Sequence, residues 1–525
     1  MRDFHLPGRS VVHAASGMCA TSHPLAAKVA VQMLEAGGNA VDAAIAGAVL
    51  LGLCEPQMTG LGGDCFALLA PPGSAAIIGL NGSGRAPAGL DAADLRGRGL
   101  AAIPLRGVEA VTLPGAVDAF CRLAQDWGRL GLAAALAPAI RYADQGVPVA
   151  PRVAWDWDAA ADTLKGRARD FYLTGGRAPA AGTLFRAPAQ AEVLRRIAAQ
   201  GRAGFYEGEV AADLLASLRA AGGCHAPADF AATACDWTTP VSTAYGGMDL
   251  HEHPPNGQGA TALLILNILS HFDLAKLDPL GAARAHLETE ACKLAYAARD
   301  RFIADTDDLT GLHHMLSPAT AGRLAGLIDP TRALPANPPG ADAIHRDTVT
   351  ITVVDRDRMA VSLICSTFWA FGTGIASDRF GILFQNRGAG FTLTPGHPNE
   401  GGGGKRPLHT IIPGMLTQQG RVLAPFGVMG GAYQPTGHAR FVSNIADYGM
   451  DVQAAIDAPR CFAEHGGVSV ERGYAPGVIQ GLADLGHTVT LRPEPLGGAQ
   501  AIFIGADGML SGGSDPRKDG CALGY

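Results

Sequence analysis

The sequence predicts an α+β protein, and three observations carry that prediction. First, residues 348–355 read Thr-Val-Thr-Ile-Thr-Val-Val-Asp. Thr348, Thr350 and Thr352 then share one face of a strand, and Val349, Ile351 and Val353 share the other. Second, a short apolar run at 360–366 follows the turn-like Asp355-Arg356-Asp357-Arg358, which reads as a hairpin. Third, Ala- and Leu-rich helical patterns fill much of the first two-thirds. Upstream of the hairpin, Ala336-Asn337-Pro338-Pro339-Gly340-Ala341 is a Pro/Gly-rich loop, so Thr348 sits where a loop enters a strand. A Thr at a strand start is by itself only β-propensity. The weight on Thr348 comes from the rest of the chain.

Composition narrows the function classes. The 525 residues are 48% apolar and 17% charged, with a net charge of -7. That length allows two to four units and a large core. There is no basic stripe, so nucleic acid is not an expected partner. No apolar stretch is long enough to span a bilayer. The start, Met1-Arg2-Asp3-Phe4-His5-Leu6-Pro7, has no apolar core of a signal peptide. Ten Cys are scattered without a Cys-x-x-Cys pair. They read as reduced thiols of a cytosolic protein, not as a zinc site or a disulfide frame.

In chain order, residues 10–15 read as a strand. Ser22-His23-Pro24 opens a helix that closes on Gly37-Gly38, and Asn39-Ala40-Val41-Asp42 starts a second, Ala-rich helix ending near Leu53. Residues 55–64 are a glycine-dense loop leading into a strand at 65–70. Its Gly60-x-Gly62-Gly63 precedes a strand and not a helix, so it lacks the helix N-terminus that phosphate loops exploit. Residues 75–80 read as a strand, and 116–218 as largely helical. Residues 240–253 read as two strands, followed by Pro254-Pro255-Asn256-Gly257. A long apolar helix passes through Leu263, Leu266 and Ile268, and another spans 288–302. After the hairpin come Phe371-Gly372-Thr373-Gly374 and Gly381-Ile382-Leu383. Residues 394–404, with four consecutive glycines at 401–404, read as a mobile loop and a lid candidate. Residues 424–432 are a strand running into Gly430-Gly431, with a helix after Thr436.

These stretches, in this order, resemble the γ-glutamyltransferase (glutathione hydrolase) family of N-terminal nucleophile hydrolases. The matching segments include Gly37-Gly38-Asn39-Ala40-Val41-Asp42, Gly60-Leu61-Gly62-Gly63, Pro254-Pro255-x-Gly257, Asp347-Thr348, Phe371-Gly372-Thr373-Gly374, Lys405-Arg406-Pro407, Gly430-Gly431 and Ser514-Asp515-Pro516-Arg517. The resemblance covers nearly the whole chain. It implies a four-layer αββα sandwich and a precursor that cuts itself between Asp347 and Thr348. Residues 1–347 would be the large subunit and 348–525 the small one, interleaved in one domain. It implies no metal and no organic cofactor, and leaves a dimer of such units open.

The chemistry that the resemblance implies has a physical basis. A Thr hydroxyl is a weak nucleophile and needs a base beside it. Cleavage before Thr348 would free an α-amine on the same residue, a fair base at neutral pH. By the same resemblance Gly430 and Gly431 supply backbone donors to the oxyanion, and Ser366 stands where a second family Thr bonds the nucleophile. The binding pocket departs from the family. Ser83 stands for the Arg that holds the glutamyl carboxylate, with Arg85 two residues on. Gly390 stands for the acidic residue that holds the amine. Phe368 and Arg387 replace Asn and Gln ligands, and His409 and Thr410 replace a Ser pair. Arg387 reads either as a carboxylate ligand or as half of a structural ion pair, and His409 as a ligand or a satisfied core His. Gln385-Asn386-Arg387-Gly388-Ala389 is similar to the branch that includes oxamate amidohydrolase and glutathione-hydrolase-like proteins. The expected function is an autoprocessing amide hydrolase or acyltransferase acting on a γ-glutamyl-type amide such as glutathione. The alternatives are a small carboxylate-bearing amide of oxamate type, a cephalosporin-type acylase activity, or an uncleaved binding protein.

Overall fold

The computed structural model describes His5 and residues 8–74, 76–307, 309–335, 347–464 and 466–525. The Pro/Gly-rich loop expected at 336–341 lies outside the described residues, as do Ala75 and the stretch up to Arg346.

Two seven-stranded sheets form the centre. One has the spatial order Cys521–Gly524, Met18–Thr21, Asp347–Val354, Ala360–Phe368, Asp64–Ala70, Ile78–Gly82, Asp236–Thr238. The other runs Val12–Ala14, Leu510–Ser514, Gly498–Ile504, Arg421–Met429, Pro413–Gln418, Met248–Glu252, Val241–Tyr245. The predicted hairpin is therefore the middle of the first sheet, with Thr350 opposite Ile364 and Val353 opposite Val361. Both sheets mix strands from the two ends of the chain. The strand at 10–15 shortens to Val12–Ala14, and that at 75–80 becomes Ile78–Gly82.

The alternation in 348–354 has a cause on each side. Val349, Ile351 and Val353 enter a core shared with the helices Pro24–Glu35 and Ala40–Cys54. The Thr face does not meet water. Thr348, Thr350 and Thr352 are all fully buried, because the second sheet covers them. A Cβ on Gly427 would lie 2.4 Å from the Thr350 Oγ1. Ser362, on the neighbouring strand, donates to the carbonyl of Phe426 at 2.7 Å, which ties the sheets directly. Met18, Leu68, Val354, Met415, Ile502 and Leu510 form an apolar cluster drawing on both sheets. The helices Gly259–Leu269, Ala282–Phe302 and Gln434–Ala446 share a separate core with the second sheet.

Local signals explain the helix starts. His23 Nδ1 accepts from the Leu25 N–H at 3.3 Å, with Pro24 at the first position. Asn39 and Asp42 form a reciprocal capping box at the start of Ala40–Cys54. Asp42 also accepts from the Arg129 and Leu130 N–H groups. That helix packs flat on the hairpin through Gly47, where an added Cβ would come within 2.3 Å of Ile351 Cδ1.

Candidate active site

Thr348 stands at an irregularity in the sheet. Asp347 pairs with Phe368, but Val349 pairs with Cys365. Thr348 alone thus faces both Ser366 and Thr367, the two-against-one count of a β-bulge, a device that re-aims side chains beside active sites. Gln434 Nε2 donates to Thr348 Oγ1 at 3.4 Å, and the Gln434 Oε1 accepts from Ile412 N at 2.8 Å. Gln434 opens the helix Gln434–Ala446 directly after the glycine turn. Ser366 is fully buried, and its Oγ accepts from the Phe368 N–H at 2.8 Å.

Gly430 and Gly431 have φ of 121° and 56°, a left-handed pair that glycine alone adopts cheaply. Their carbonyls are engaged. Gly430 O accepts from Tyr433 N at 3.0 Å and Gly431 O from Gln258 Nε2 at 3.0 Å. The same Gln258 amide donates to Thr410 O at 2.7 Å, and its oxygen accepts from Arg299 Nη1 at 3.0 Å. The turn is thereby linked to the segment that carries His409 and Thr410.

Asp64 is the hub of the other side. It pairs with Ser366 across the ladder. Its Oδ1 accepts from Gly84 N at 2.9 Å and Gln385 Nε2 at 2.8 Å, and its Oδ2 lies 2.9 Å from His409 Nε2. His409 Nδ1 accepts from the Ile411 N–H at 3.4 Å, so its Nε2 carries the hydrogen that Asp64 takes. Burial and the nearby Arg387 hold the His409 imidazole neutral, pulled down to about 3 against the opposing pull of Asp64. The preceding glycines let backbones meet: a Cβ on Gly62 would lie 1.9 Å from Leu383 O, and one on Gly63 2.5 Å from Ser366 O. Asp64 and His409 are metal-type donors, but both are spent on each other and on the backbone.

Arg387 is fully buried. Its Nη1 donates to Thr410 Oγ1 at 2.8 Å, and its Cζ lies 4.0 Å from the centre of the Phe368 ring. Among the described residues its Nε and Nη2 have no hydrogen-bond partner. Burial pulls the guanidinium down to about 9, with Asp64 pulling the other way. Among the described residues no carboxylate is bonded to it, so the structural ion pair expected as one reading is not formed there. Phe368 itself has φ of 82°, strained for a residue with a side chain.

The structure therefore brings Arg387, Phe368, His409 and Thr410 together, and through Asp64 and Gln258 it connects them to Ser366 and Gly431. It does not bring in Arg85. That side chain is 45% exposed and bonds Asp305 and the carbonyl of Gly404. Ser83 Oγ accepts from Asn256 Nδ2 at 3.1 Å, and a Cβ on Gly390 would meet Leu408 O at 2.7 Å. Lys405 and Arg406 brace loops. Lys405 bonds the carbonyls of Pro398 and Glu400, while Arg406 bonds Asp236 and Ser83 O. The glycine run at 401–404 is held at its ends by Gly401 N to Thr392 O and Gly404 N to Ala86 O. Sequence reasoning missed Asp64, Gln258, Gln385 and Gln434 as connectors. The signal available for Asp64 was its place at the end of the glycine loop; Gln434 lay just past the Gly-Gly turn.

Comparison with known proteins shows the family. The gamma-glutamyltranspeptidase family model matches residues 26–525. The chain is 36% identical over 521 residues to the glutathione hydrolase-like YwrD proenzyme of Bacillus subtilis (strain 168), covering 97% of this chain and 98% of that protein. It is 34% identical over 530 residues to the oxamate amidohydrolase proenzyme of Klebsiella pneumoniae, covering 97% and 98%. The crystal structure of cephalosporin acylase from Bacillus halodurans superposes with a TM-score of 0.93 at 38% identity, over 100% of this chain and 99% of that one. The chain belongs to the gamma-glutamyltranspeptidase family of amide-bond hydrolases and acyltransferases.

Proposed function

We propose that this chain is a precursor that cleaves itself before Thr348 and then hydrolyses a small amide bearing a carboxylate close to the scissile carbonyl. The observation that carries the substrate class is Arg387. A buried guanidinium with two unpartnered N–H groups is costly. A substrate carboxylate would accept both in a bidentate pair, and the Phe368 ring would hold the fork flat. The glutamyl clamp of the wider family has Ser83 and Gly390 in its place, which disfavours a γ-glutamyl substrate. The oxamate amidohydrolase relative lends the same support.

In this reading the free α-amine of Thr348 takes the hydroxyl proton and Oγ attacks the amide carbon. The Gly430 and Gly431 N–H groups would stabilise the oxyanion. The amine leaves with that proton, and water then cleaves the acyl ester to the acid. Two products of processing, 1–347 and 348–525, would stay interleaved. The two sheets and their flanking helices support a four-layer αββα arrangement for that unit. The ten cysteines, all unpaired, support a reducing compartment, the cytosol.

The test is intact mass followed by release assays on oxamate and γ-glutamyl anilide. Purified protein is expected as two chains, the smaller of 525 − 347 = 178 residues beginning at Thr348, and Thr348→Ala as one. Turnover is expected to favour oxamate. A whole chain that is nonetheless active rejects the mechanism. Preference for the γ-glutamyl anilide favours instead a glutathione hydrolase.

A further inference from the structure

The helix Ala282–Phe302 carries His286 and Glu290 one turn apart, on the same face. His487 reaches them from the loop between the helix Pro476–Asp484 and the strand Val489–Leu491. One donor atom from each, all buried, lies within 4.8 Å of the other two. We propose that His286, Glu290 and His487 bind a divalent transition-metal ion of the zinc type, in a structural site remote in sequence from Thr348.

The donor atoms are oriented for it. His286 Nε2 lies 2.8 Å from Asp329 O. A carbonyl only accepts, so Nε2 carries the hydrogen and Nδ1 presents its lone pair inward. A ligand His fixed through its other nitrogen by a backbone carbonyl is the usual outer support of a metal site. Glu290 Oε2 accepts from Leu334 N at 2.8 Å, which leaves Oε1 to face the two rings. The His487 Nε2–H donates to His286 Nδ1 at 2.7 Å, and His487 Nε2 lies 3.8 Å from Glu290 Oε1, so an ion would take the place of that hydrogen, with His487 shifting to its Nδ1–H tautomer. Tetrahedral zinc with bonds of about 2.0–2.1 Å separates its ligands by about 3.3 Å, so small ring shifts suffice. Two imidazoles and a carboxylate suit zinc and its neighbours better than calcium or magnesium.

A cavity of about 610 Å³, lined by His487, Lys293, Asp329 and Arg332 among others, opens onto the cluster. It supplies an entry path and room for a water as fourth ligand. The competitor is Lys293, whose Nζ sits 2.7 Å from Glu290 Oε1. A metal would displace that ammonium toward the cavity. The same helix holds Arg299 on Gln258, which in turn holds Gly431 O. An ion at one end would thus stiffen the brace of the glycine turn.

The experiment uses full-length protein, chelator-treated, dialysed and titrated with Co²⁺. One equivalent is expected to give tetrahedral visible bands without a thiolate charge-transfer band, and to raise Tm. His487→Ala and Glu290→Gln should each weaken binding at least about tenfold. Lys293→Met should tighten it, since the competing ammonium is gone. Absence of bands, a thiolate band, or binding unchanged in both ligand variants overturns the site. If circular dichroism shows His487→Ala misfolded, Glu290→Gln decides alone.

Discussion

The Arg387 guanidinium stacks on the ring of Phe368 at 4.0 Å, and the backbone of Phe368 is held at a φ of 82°. A non-glycine residue there costs of order 1–3 kcal/mol and persists where surrounding structure demands it. Here the strained residue is the platform for a buried cation whose one hydrogen bond among the described residues goes to Thr410 Oγ1.

Arg387→Ala should lower kcat/KM on an oxamate-type amide by roughly 2–5 kcal/mol, because truncating one partner of a buried charge pair has that effect. Self-cleavage should be unaffected. Arg387→Lys should rescue only in part, since a point charge lacks the fork. The pH profile should be a bell. Activity rises as the Thr348 amine loses its proton near about 7.7–8.0, and falls as pH passes about 9, where Arg387 loses its charge. Arg387→Ala should lack the alkaline limb. If the variant keeps wild-type kinetics and profile, Arg387 is not a substrate ligand.

His409 makes acid stability diagnostic. Its folded value of about 3 lies below the unfolded value of about 6.5. As pH falls between these, the unfolded chain takes a proton that the folded chain refuses. The stability it contributes is present above about 6.5 and is lost on the way to about 3. His409→Gln can still donate to Asp64 but does not titrate. Denaturant melts from about pH 6 to 4 should lose roughly 1.4 kcal/mol less per pH unit in the variant than in wild type. Equal slopes would mean that His409 is charged in the fold.

Gly47→Ala should destabilise despite its better helix propensity. The new Cβ would meet Ile351 Cδ1 at 2.3 Å, and overpacking typically costs about 1–3 kcal/mol. Ile351→Val removes that very methyl. The double mutant should therefore be more stable than the sum of the singles, by denaturant midpoint. Strict additivity would show that the helix relaxes away from the hairpin.

Thiol reactivity should be ordered. All ten cysteines are free, and Cys224 alone is exposed. A thiol reagent should modify one residue fast in the native protein and ten after unfolding. Cys224→Ser should abolish the fast phase; a fast phase that remains would place another thiol at the surface.

The sequence by itself determined the hairpin that begins with Thr348, the capped helices at 24 and 40, and the Gly430-Gly431 turn. Each depends on neighbours a few residues apart, through alternation, capping atoms or positive φ. It did not reveal the strands Met18–Thr21 and Cys521–Gly524, or the small sheet of Cys461–Glu464, Gly467–Val470 and Val489–Leu491. Those strands are short, and partners distant in sequence define them. Alternation showed that 348–352 has two faces, but only the second sheet decided that the Thr face is dry. Arg85 and Arg387 are the same residue type in similar glycine-rich loops. The tertiary structure alone sent one to Asp305 at the surface and buried the other over Phe368. The reason is physical: local sequence sets backbone conformation, whereas burial and charge partners are set by whichever segments the fold packs alongside.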